Sequence, residues 1–352
     1  MRETGNYRFA RIMVIGIGGG GGNAVNRMQQ VGIKGVEMVA VNTDAQVLEI
    51  VDADRSLQIG EELTGGLGAG GEPEIGKKAA QESEDKISNL LEGVDMLFVT
   101  CGMGGGTGTG ATPVIAGIAQ EKDILTTGIV TKPFSFEGRT RAKKAEQGIE
   151  NLAENVDTII TISNDKLLEV ASGDIPITQA FELADEILKE GVKGISDLIT
   201  IPGMINLDFA DIKNAMKGGG AAMMGIGEGE GDGKTKEAAR NAISSPLLEG
   251  SIQGAQDVIL NVTGGPNLSL EEVTEAASLI KEAVSEEANI VFGTTIQEDR
   301  DLVRLTVIAT GFELSREEEG EEDFTRGILG NVEGEETGED QNLDIPTFLR
   351  RQ

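Results

Sequence analysis

Two aspartates three positions apart, Asp208 and Asp211, belong to the stretch NLDFAD at residues 206–211. The pattern predicts the start of a helix there, where Asp208 is suited to be the N-cap and either carboxylate favours the helix dipole. A carboxylate can also polarise a water molecule for attack on a phosphoanhydride. The sequence contains no histidine, so we expect carboxylates to carry any acid–base chemistry.

Three glycine-rich stretches could bind phosphate: GIGGGGG at residues 16–22, GGLGAGG at 65–71 and GGGTGTG at 104–110. Each follows a predicted strand, and backbone amides at a strand–loop–helix junction converge on anions. Parallel strands bring such loops to one edge of their sheet. We therefore expect the three stretches together to surround one triphosphate. The sequence has no G-x-x-x-x-G-K-[ST] motif, which excludes the P-loop class.

Five further side chains could hold a sugar and a base. Glu137, Arg141 and Asn164 follow predicted strands. Phe181 and Asp185 are one turn apart on a predicted helix and share a face. A carboxylate such as that of Asp185 only accepts hydrogen bonds, which suits the N1–H and amino donors of guanine. The alternatives are a core position for Phe181 and a solvated charge for the others, most strongly for Glu137.

The elements that position these residues alternate between strand and helix, which indicates an α/β fold with a Rossmann-like parallel sheet. Strands are predicted at residues 11–17, 35–42, 94–99, 125–131 and 157–162, and helices at 23–31, 75–91, about 141–155, and 111–120 with Pro113 in its first turn. A long amphipathic helix over 178–199 follows. The remainder predicts a smaller α+β part, with helices at 209–216, 235–243 and 269–285, strands at 257–263, 289–295 and 302–310, and a flexible region at 218–233.

The long helix separates the aspartates from the glycine loops. At about 1.5 Å per residue it spans roughly 33 Å. Within one molecule we therefore expect Asp208 and Asp211 to lie too far away to reach the phosphates. Copies stacked head to tail would bring the two together, and such a heterologous interface produces filaments.

Composition narrows the class of protein. The formal net charge is −30 and the single cysteine is Cys101, so we expect no internal disulfide, a cytoplasmic location and no binding to nucleic acid. No apolar run has the ~20 residues of a membrane span, which predicts no direct membrane insertion. The acidity also raises the hypothesis of a requirement for K⁺ or high salt, with simple solubility as the alternative.

The sequence divides into five predicted regions: a nucleotide-binding domain at residues 1–177, a central core helix at 178–201, a C-terminal α+β domain at 202–313, a linker at 314–341 and a docking peptide at 342–352. Residues 316–344 contain twelve acidic and two basic side chains, which predicts a disordered, self-repelling linker. The last residues, from Leu343 to Gln352, are apolar and then basic.

These motifs together resemble the tubulin/FtsZ family of GTPases, which includes bacterial cell-division proteins. The stretches that carry the resemblance are GIGGGGGNAVNRM, AVNTDAQ, GLGAGGEPEIG, GMGGGTGTGATPVIA, PFSFEGRTR, NLDFAD and the final LDIPTFLRR. The resemblance implies a GTPase domain, a long central helix and a C-terminal domain. It also implies polymerisation-coupled hydrolysis of GTP to GDP, with Mg²⁺ carried by the nucleotide, in filaments of the mid-cell division ring. By the same resemblance, the tail from Leu343 to Gln352 implies binding to membrane tethers and division regulators such as FtsA.

The resemblance also implies roles for individual residues. Those that hold the nucleotide are Gly19, Gly20, Gly21, Gly22, Asn23, Gly106, Thr107 and Gly108. Those that approach the γ-phosphate are Ala69, Gly70 and Gly71. Glu137 and Arg141 contact the ribose, while Asn164, Phe181 and Asp185 contact the guanine. Asp208 and Asp211 act in trans on the attacking water of the neighbouring subunit.

Two other functions compete with this hypothesis. Gly16, Gly18 and Gly21 form a G-x-G-x-x-G pattern with Asp44 about twenty positions on, which is typical of NAD-dependent oxidoreductases. That interpretation leaves GGGTGTG and NLDFAD unexplained. A scaffold that binds partners without hydrolysing GTP is the second alternative, and the paired aspartates argue against it.

Overall fold

Near-continuous apolar runs in the first half of the chain form strands that are buried on both faces, as a parallel sheet between two layers of helices requires. The computed structural model describes residues 10–170, 175–201, 207–248, 250–285, 287–297 and 302–312. The first strands are β1 Ile12–Ile17, β2 Val36–Asn42, β3 Arg55–Gln58, β4 Met96–Gly102, β5 Leu125–Lys132 and β6 Thr158–Ser163. The first helices are α1 Gly18–Val31, α2 Ala45–Ile50, α3 Glu61–Thr64, α4 Pro73–Glu82, α5 Glu84–Leu90, α6 Thr107–Glu121, α7 Arg139–Ala153 and α8 Asn164–Val170, with a 3-10 turn at Ser135–Glu137.

The six strands are parallel and lie in the order β3-β2-β1-β4-β5-β6. In the register, Ile12 of β1 pairs with Val36 of β2 on one side and with Met96 of β4 on the other. All six strands therefore end at one edge of the sheet, which we call the carboxyl edge, and begin at the opposite, amino edge. This arrangement confirms the predicted α/β fold with a parallel sheet.

The structure corrects where several helices begin and end. α1 begins at Gly18 and α6 at Thr107, so glycines that we expected in loops form the first helical turns. Pro113 consequently lies inside α6 rather than in its first turn. The predicted helix over 75–91 is two helices, α4 and α5, which meet at Ser83. The predictions also omit four short elements, β3, α2, α3 and α8, and the 3-10 turn at Ser135–Glu137.

The glycines of these first turns are required by close packing. A Cβ added to Gly110 in α6 would overlap the carbonyl oxygen of Pro73 in α4, and one on Gly21 would lie 2.5 Å from the carbonyl oxygen of Thr100. Glycine is a poor helix former, so the sequence pattern favours a loop. Tertiary packing overrides that preference, because only glycine lets these backbones approach one another.

A single long helix, α9 (Ile177–Thr200), connects the two parts of the fold and matches the predicted helix within two residues. Its 24 residues span about 36 Å. A Cβ on Gly191 would lie 3.1 Å from Ile129 of β5, and one on Gly194 would lie 2.9 Å from Thr306 in the second part. One turn of α9 thus packs closely against both parts of the fold, which is the close packing that its glycines suggested.

The second part has the α+β organisation that the sequence predicts. Its elements are α10 Phe209–Met216, β7 Gly220–Gly229, α11 Lys234–Ile243, β8 Asp257–Gly264, α12 Leu270–Ala283, β9 Asn289–Ile296 and β10 Val303–Thr310. The strands continue the sheet in the order β7-β10-β8-β9. Gly220 of β7 pairs in parallel with Thr158 of β6, so one ten-stranded sheet runs through both parts.

The prediction of a flexible region at 218–233 is wrong, since β7 occupies most of it. β7 pairs with β6 over its first three residues and with β10 over residues 223–229. A Cβ on Gly227 would overlap the carbonyl oxygen of Ala238 in α11. In this strand glycine marks the close approach of another backbone rather than flexibility.

Several predictions lie outside the described residues: the acidic linker at 314–341, the peptide at 342–352 and Asn206 of the NLDFAD stretch. The described residues belong to one compact unit. Within the described ranges, none of the helices combines the length and hydropathy of a membrane span.

Candidate nucleotide site

The three glycine-rich stretches come together at the carboxyl edge of the parallel sheet. A Cβ on Gly18, at the start of α1, would lie 2.9 Å from the amide nitrogen of Gly108 in the first turn of α6. A Cβ on Gly106 would lie 2.8 Å from the amide nitrogen of Glu72, which follows the 65–71 stretch. The structure therefore places the two helix N-termini and the middle loop in mutual contact, as the sequence predicted.

Besides Gly65, which ends α3, four glycines of this cluster face open space. A Cβ on Gly19, Gly70, Gly71 or Gly105 would meet no heavy atom within 4 Å. The first-turn amides of α1 and α6 have no acceptor within their own helices, because the N-terminal amides of a helix are unpaired. This open, amide-lined space at two helix N-termini suits the phosphates of a nucleotide. Gly105 was missing from the predicted site, although its place in the GGG run could have identified it.

Two threonines of the predicted 104–110 phosphate loop form hydrogen bonds within the protein. The Thr107 hydroxyl bonds to the Thr43 hydroxyl at 2.7 Å, and the Thr109 hydroxyl accepts a bond from the Gly104 amide at 2.8 Å. The first bond fixes the start of α6 against the residue that follows β2, and the second closes the 104–110 turn on itself. Cys101, beneath the turn, is fully buried, and burial raises the pKa of its thiol to about 12. The thiol is therefore not a nucleophile.

A methyl group is expected to have opposite effects at a glycine that faces open space, such as Gly19, and at a glycine packed against another backbone, such as Gly110. Gly19→Ala is expected to leave the melting temperature unchanged or higher, since alanine favours a helix, and to weaken nucleotide binding at least tenfold by filling the phosphate space. Gly110→Ala is expected to destabilise the fold by about 3 kcal/mol or more, because its methyl overlaps α4. Thermal unfolding and titration with a fluorescent GDP analogue measure the two effects. A Gly19→Ala protein that binds normally would contradict the phosphate assignment.

Asn164, Phe181 and Asp185 form the end of the site at which the base is expected. The Asn164 side chain begins α8, is buried, and its Oδ1 atom has no hydrogen-bond partner in the described structure. A buried amide oxygen without a partner is costly, so Asn164 fits a ligand that donates a hydrogen bond. Burial raises the pKa of the Asp185 carboxyl to about 7, although Arg27 opposes the shift.

Phe181 is not a core residue. It is 41% exposed. Its ring packs edge-on against Phe134 at 5.4 Å and against Phe136 at 6.4 Å between centroids. These two phenylalanines, which the predicted site did not include, hold Phe181 in a fixed orientation. Its remaining exposed surface is available to a planar base.

The charged pair Glu137 and Arg141 lies between the phosphate and base ends. Glu137 is not the solvated charge considered as an alternative, because its side chain is only 10% exposed. One carboxylate oxygen accepts the Phe134 amide at 2.9 Å, and the other lies 3.0 Å from Nε of Arg141. The backbone of Arg141 packs against Gly104. The pair thus links the 104–110 turn to the aromatic cluster, where a ribose is expected.

Asp44 does not have the role that a dinucleotide fold would give it. Its carboxylate accepts the amides of Gln46 and Val47, at 3.0 and 3.3 Å, and caps α2. A dinucleotide-binding acidic residue instead bonds the ribose hydroxyls. In this structure the Asp44 carboxylate serves as a helix cap.

Asp208 and Asp211 are absent from the carboxyl edge. Asp208 is the N-cap of α10, as predicted, and its Oδ1 accepts the Asp211 amide at 2.8 Å. Beyond the end of α10, Nζ of Lys217 lies 3.1 Å from Asp123, which precedes β5 at the amino edge. The side chains of Asp208 and Asp211 are both exposed.

The chain segment around these aspartates also begins at the amino edge. Thr200, at the end of α9, packs against Gly35, which precedes β2. The parallel strands are six to eight residues long apart from β3, so about 20 Å or more separates the two edges. The structure does not bring the aspartates and the glycine loops together.

Comparison with known proteins matches both parts of the chain. The GTPase domain of the tubulin/FtsZ family matches residues 11–172, and the FtsZ family C-terminal domain matches residues 220–313. An empty FtsZ dimer from M. jannaschii is 44% identical, with a TM-score of 0.84 and coverage of 87% of this chain and 89% of that chain. A tryptophan-to-tyrosine mutant of M. jannaschii FtsZ is also 44% identical, with a TM-score of 0.83 and coverage of 86% and 92%.

More distant structures share the fold. A protofilament of CetZ2 from Haloferax volcanii with GTPγS bound is 21% identical, with a TM-score of 0.74 and coverage of 87% of this chain and 94% of that chain. The NAD-dependent interpretation is wrong, since the matched domain is a GTPase domain and Asp44 caps a helix. With 44% identity over most of both chains and matches to both domains, the chain belongs to the FtsZ family of tubulin-like GTPases.

Proposed function

We propose that this GTPase assembles head to tail, and that Asp208 and Asp211 of one subunit complete the nucleotide site of the next. The observation that carries the proposal is the separation of the site into two parts on opposite edges of the sheet. The amide-lined space lies at the carboxyl edge, and the exposed aspartates lie near the amino edge. The assemblies named for M. jannaschii FtsZ, a dimer, and for CetZ2, a protofilament, support it.

In the proposed site, the nucleotide-binding subunit orients GTP. Backbone amides of Gly19–Gly22 and of Gly106, Thr107 and Gly108 hold the phosphates, and those of residues 69–71 approach the γ-phosphate. Asn23 lies exposed in the first turns of α1 and is proposed to contact the same nucleotide. Glu137 and Arg141 face the ribose. Asn164, Phe181 and Asp185 bind the guanine by hydrogen bonds and stacking.

The neighbouring subunit supplies the carboxylates. Asp211 is proposed to orient and partly deprotonate the attacking water, while Asp208 caps the helix that presents it. Mg²⁺ bound to the nucleotide would neutralise charge on the phosphates. Among the described residues, no group of three or more cysteines, aspartates and glutamates is arranged to hold a metal, so we assign no protein ligand to it.

In the cell, we propose that the filaments form the cytokinetic ring at mid-cell. The peptide from Leu343 to Gln352 would dock on membrane tethers and division regulators of the FtsA type, since the chain shows no insertion segment of its own in the described part. The net charge of −30 supports a requirement for K⁺ or high salt, because screening reduces repulsion between acidic filaments.

The test is the dependence of turnover on protein concentration. Phosphate release per subunit is expected to be negligible below a threshold concentration and to rise above it, because the site forms only between subunits. Sedimentation with GTP and with GDP across a KCl series, on the same samples, is expected to show polymer appearing at that threshold with GTP. Turnover per subunit that is independent of concentration would rule out the shared site.

A further inference from the structure

A lysine on α7 contacts the loop that the proposed function assigns to the γ-phosphate. Nζ of Lys144 donates a hydrogen bond to the carbonyl oxygen of Gly71 at 2.8 Å and lies 3.0 Å from the Glu72 carboxylate. The Lys144 side chain is 28% exposed, so its stem is largely packed against its surroundings. No motif in the sequence points to this residue, because the contact joins segments 73 and 72 residues apart.

The loop that Lys144 contacts has little conformational restraint of its own. Gly70 and Gly71 have φ angles of +59° and +76°, in the left-handed region that favours glycine. The Glu72 amide closes the turn by donating to the Ala69 carbonyl at 3.0 Å. The Gly70 and Gly71 amides have no acceptor among the described residues and border the open space at the site.

The bond from Lys144 restrains the orientation of this turn. The Gly71 carbonyl is bonded to Nζ, so the peptide plane between Gly71 and Glu72 cannot rotate freely. The Glu72 pair holds the ammonium group in place, and a charge-assisted bond of this kind is stronger than a neutral one. The bond therefore anchors the C-terminal end of the turn and limits the rotation of the two preceding peptide groups, which carry the Gly70 and Gly71 amides.

We infer that Lys144 is a positioning residue that gives this site its preference for a nucleoside triphosphate over the diphosphate. It acts through the 69–71 turn, whose amides the proposed function assigns to the terminal phosphate, rather than by touching the nucleotide itself. The inference rests on the proposed function, which assigns the γ-phosphate to this turn. Without the bond the glycine turn samples other conformations, and GTP must order it on binding at an entropic cost.

The test compares GTP and GDP affinity in Lys144→Met, Lys144→Arg and the matched control Lys143→Met. Lys143 is exposed and adjacent on α7. Affinities are measured by displacement of a fluorescent GDP analogue, below the assembly threshold. Lys144→Met is expected to weaken GTP binding about fivefold to tenfold and GDP binding less than twofold. Lys144→Arg is expected to restore most of the preference, and Lys143→Met to leave it unchanged.

Two results would overturn the inference. One is an equal loss of GTP and GDP affinity in Lys144→Met, which would indicate a purely structural role. The other is a Glu72→Gln variant that keeps the bond to Gly71 yet shows the full Lys144→Met defect, since the ion pair would then carry the effect. Failure of the proposed function is distinguishable, because it would appear as turnover per subunit that is independent of protein concentration, whereas these affinities are measured below the assembly threshold.

Discussion

Replacing Asp211 with alanine is expected to leave GTP affinity unchanged and to lower GTP turnover at least a hundredfold. The side chain is exposed in the first turn of α10, at the edge of the sheet opposite the glycine loops. Only its backbone amide takes part in the cap, by donating to Asp208. The substitution therefore removes a carboxylate without removing the helix cap or any group that faces the nucleotide of the same subunit.

The matched comparison is with Asp208. Asp208→Ala removes the cap and is expected to cost about 1 kcal/mol of stability, so lost turnover in that variant combines two effects. Asp208→Asn keeps a capping side chain and isolates the effect of its charge. Phosphate release, nucleotide titration and sedimentation on the same samples separate hydrolysis, binding and assembly. An Asp211→Ala protein with normal turnover would remove this residue from the mechanism.

The meeting of the three glycine-rich stretches at one edge of the sheet was predictable, because each stretch follows the parallel strands of the sheet. Three glycine-rich stretches that follow parallel strands indicate a phosphate site, and this prediction does not depend on the residue at which each helix begins. The separation of Asp208 and Asp211 from that site follows from the length of one helix. Both statements depend on local geometry, which a sequence determines directly.

The boundaries of the glycine-rich elements were not predictable in the same way. Gly110 and Gly227 have the composition of a loop, yet one lies in a helix and the other in a strand. Each is glycine because a neighbouring backbone, at Pro73 or at Ala238, approaches too closely for a Cβ. That approach is a property of the assembled fold, and no local pattern reports it.

Contacts between distant segments escaped prediction for a related reason. Lys144, Phe134 and Phe136 belong to no periodic motif of the site, and their roles depend on where α7 and the 3-10 turn meet the loop and α9. The burial of Glu137 also escaped prediction, although its partners are local: its carboxylate bonds to Phe134 and Arg141, three and four residues away. Such residues are found from the geometry of the site rather than from the sequence.

The other large effect concerns Asp185. Asp185→Asn is expected to weaken GTP binding about a hundredfold, because in the proposed site the ionised carboxylate accepts from both the N1–H and the amino group of guanine. Loss of two charge-assisted bonds at about 1.5 kcal/mol each corresponds to that factor. Asparagine has nearly the same shape but can donate, so the variant is expected to bind xanthosine triphosphate, whose C2 oxygen is an acceptor.

The pH dependence of binding provides the control for this assignment. Burial raises the pKa of Asp185 to about 7 in the free protein, and guanine binds the ionised form. A proton must therefore leave when GTP binds at low pH, so the affinity of the wild-type chain falls as pH decreases, by about tenfold between pH 8 and pH 6. Asp185→Asn is expected to bind its nucleotide without this dependence. An Asp185→Asn protein whose nucleotide affinity falls with pH as that of the wild-type chain does would remove Asp185 from this role.

Together the two variants test whether the site is shared between subunits. Asp211→Ala binds GTP but lacks the carboxylate, whereas Asp185→Asn retains Asp211 but prefers xanthosine triphosphate. Neither alone is expected to hydrolyse GTP at an appreciable rate. In a mixture supplied with both nucleotides, hydrolysis of GTP is expected to return, since Asp211 of one variant then faces GTP held by the other. If Asp211 acted within its own subunit, the mixture would remain as inactive toward GTP as its components.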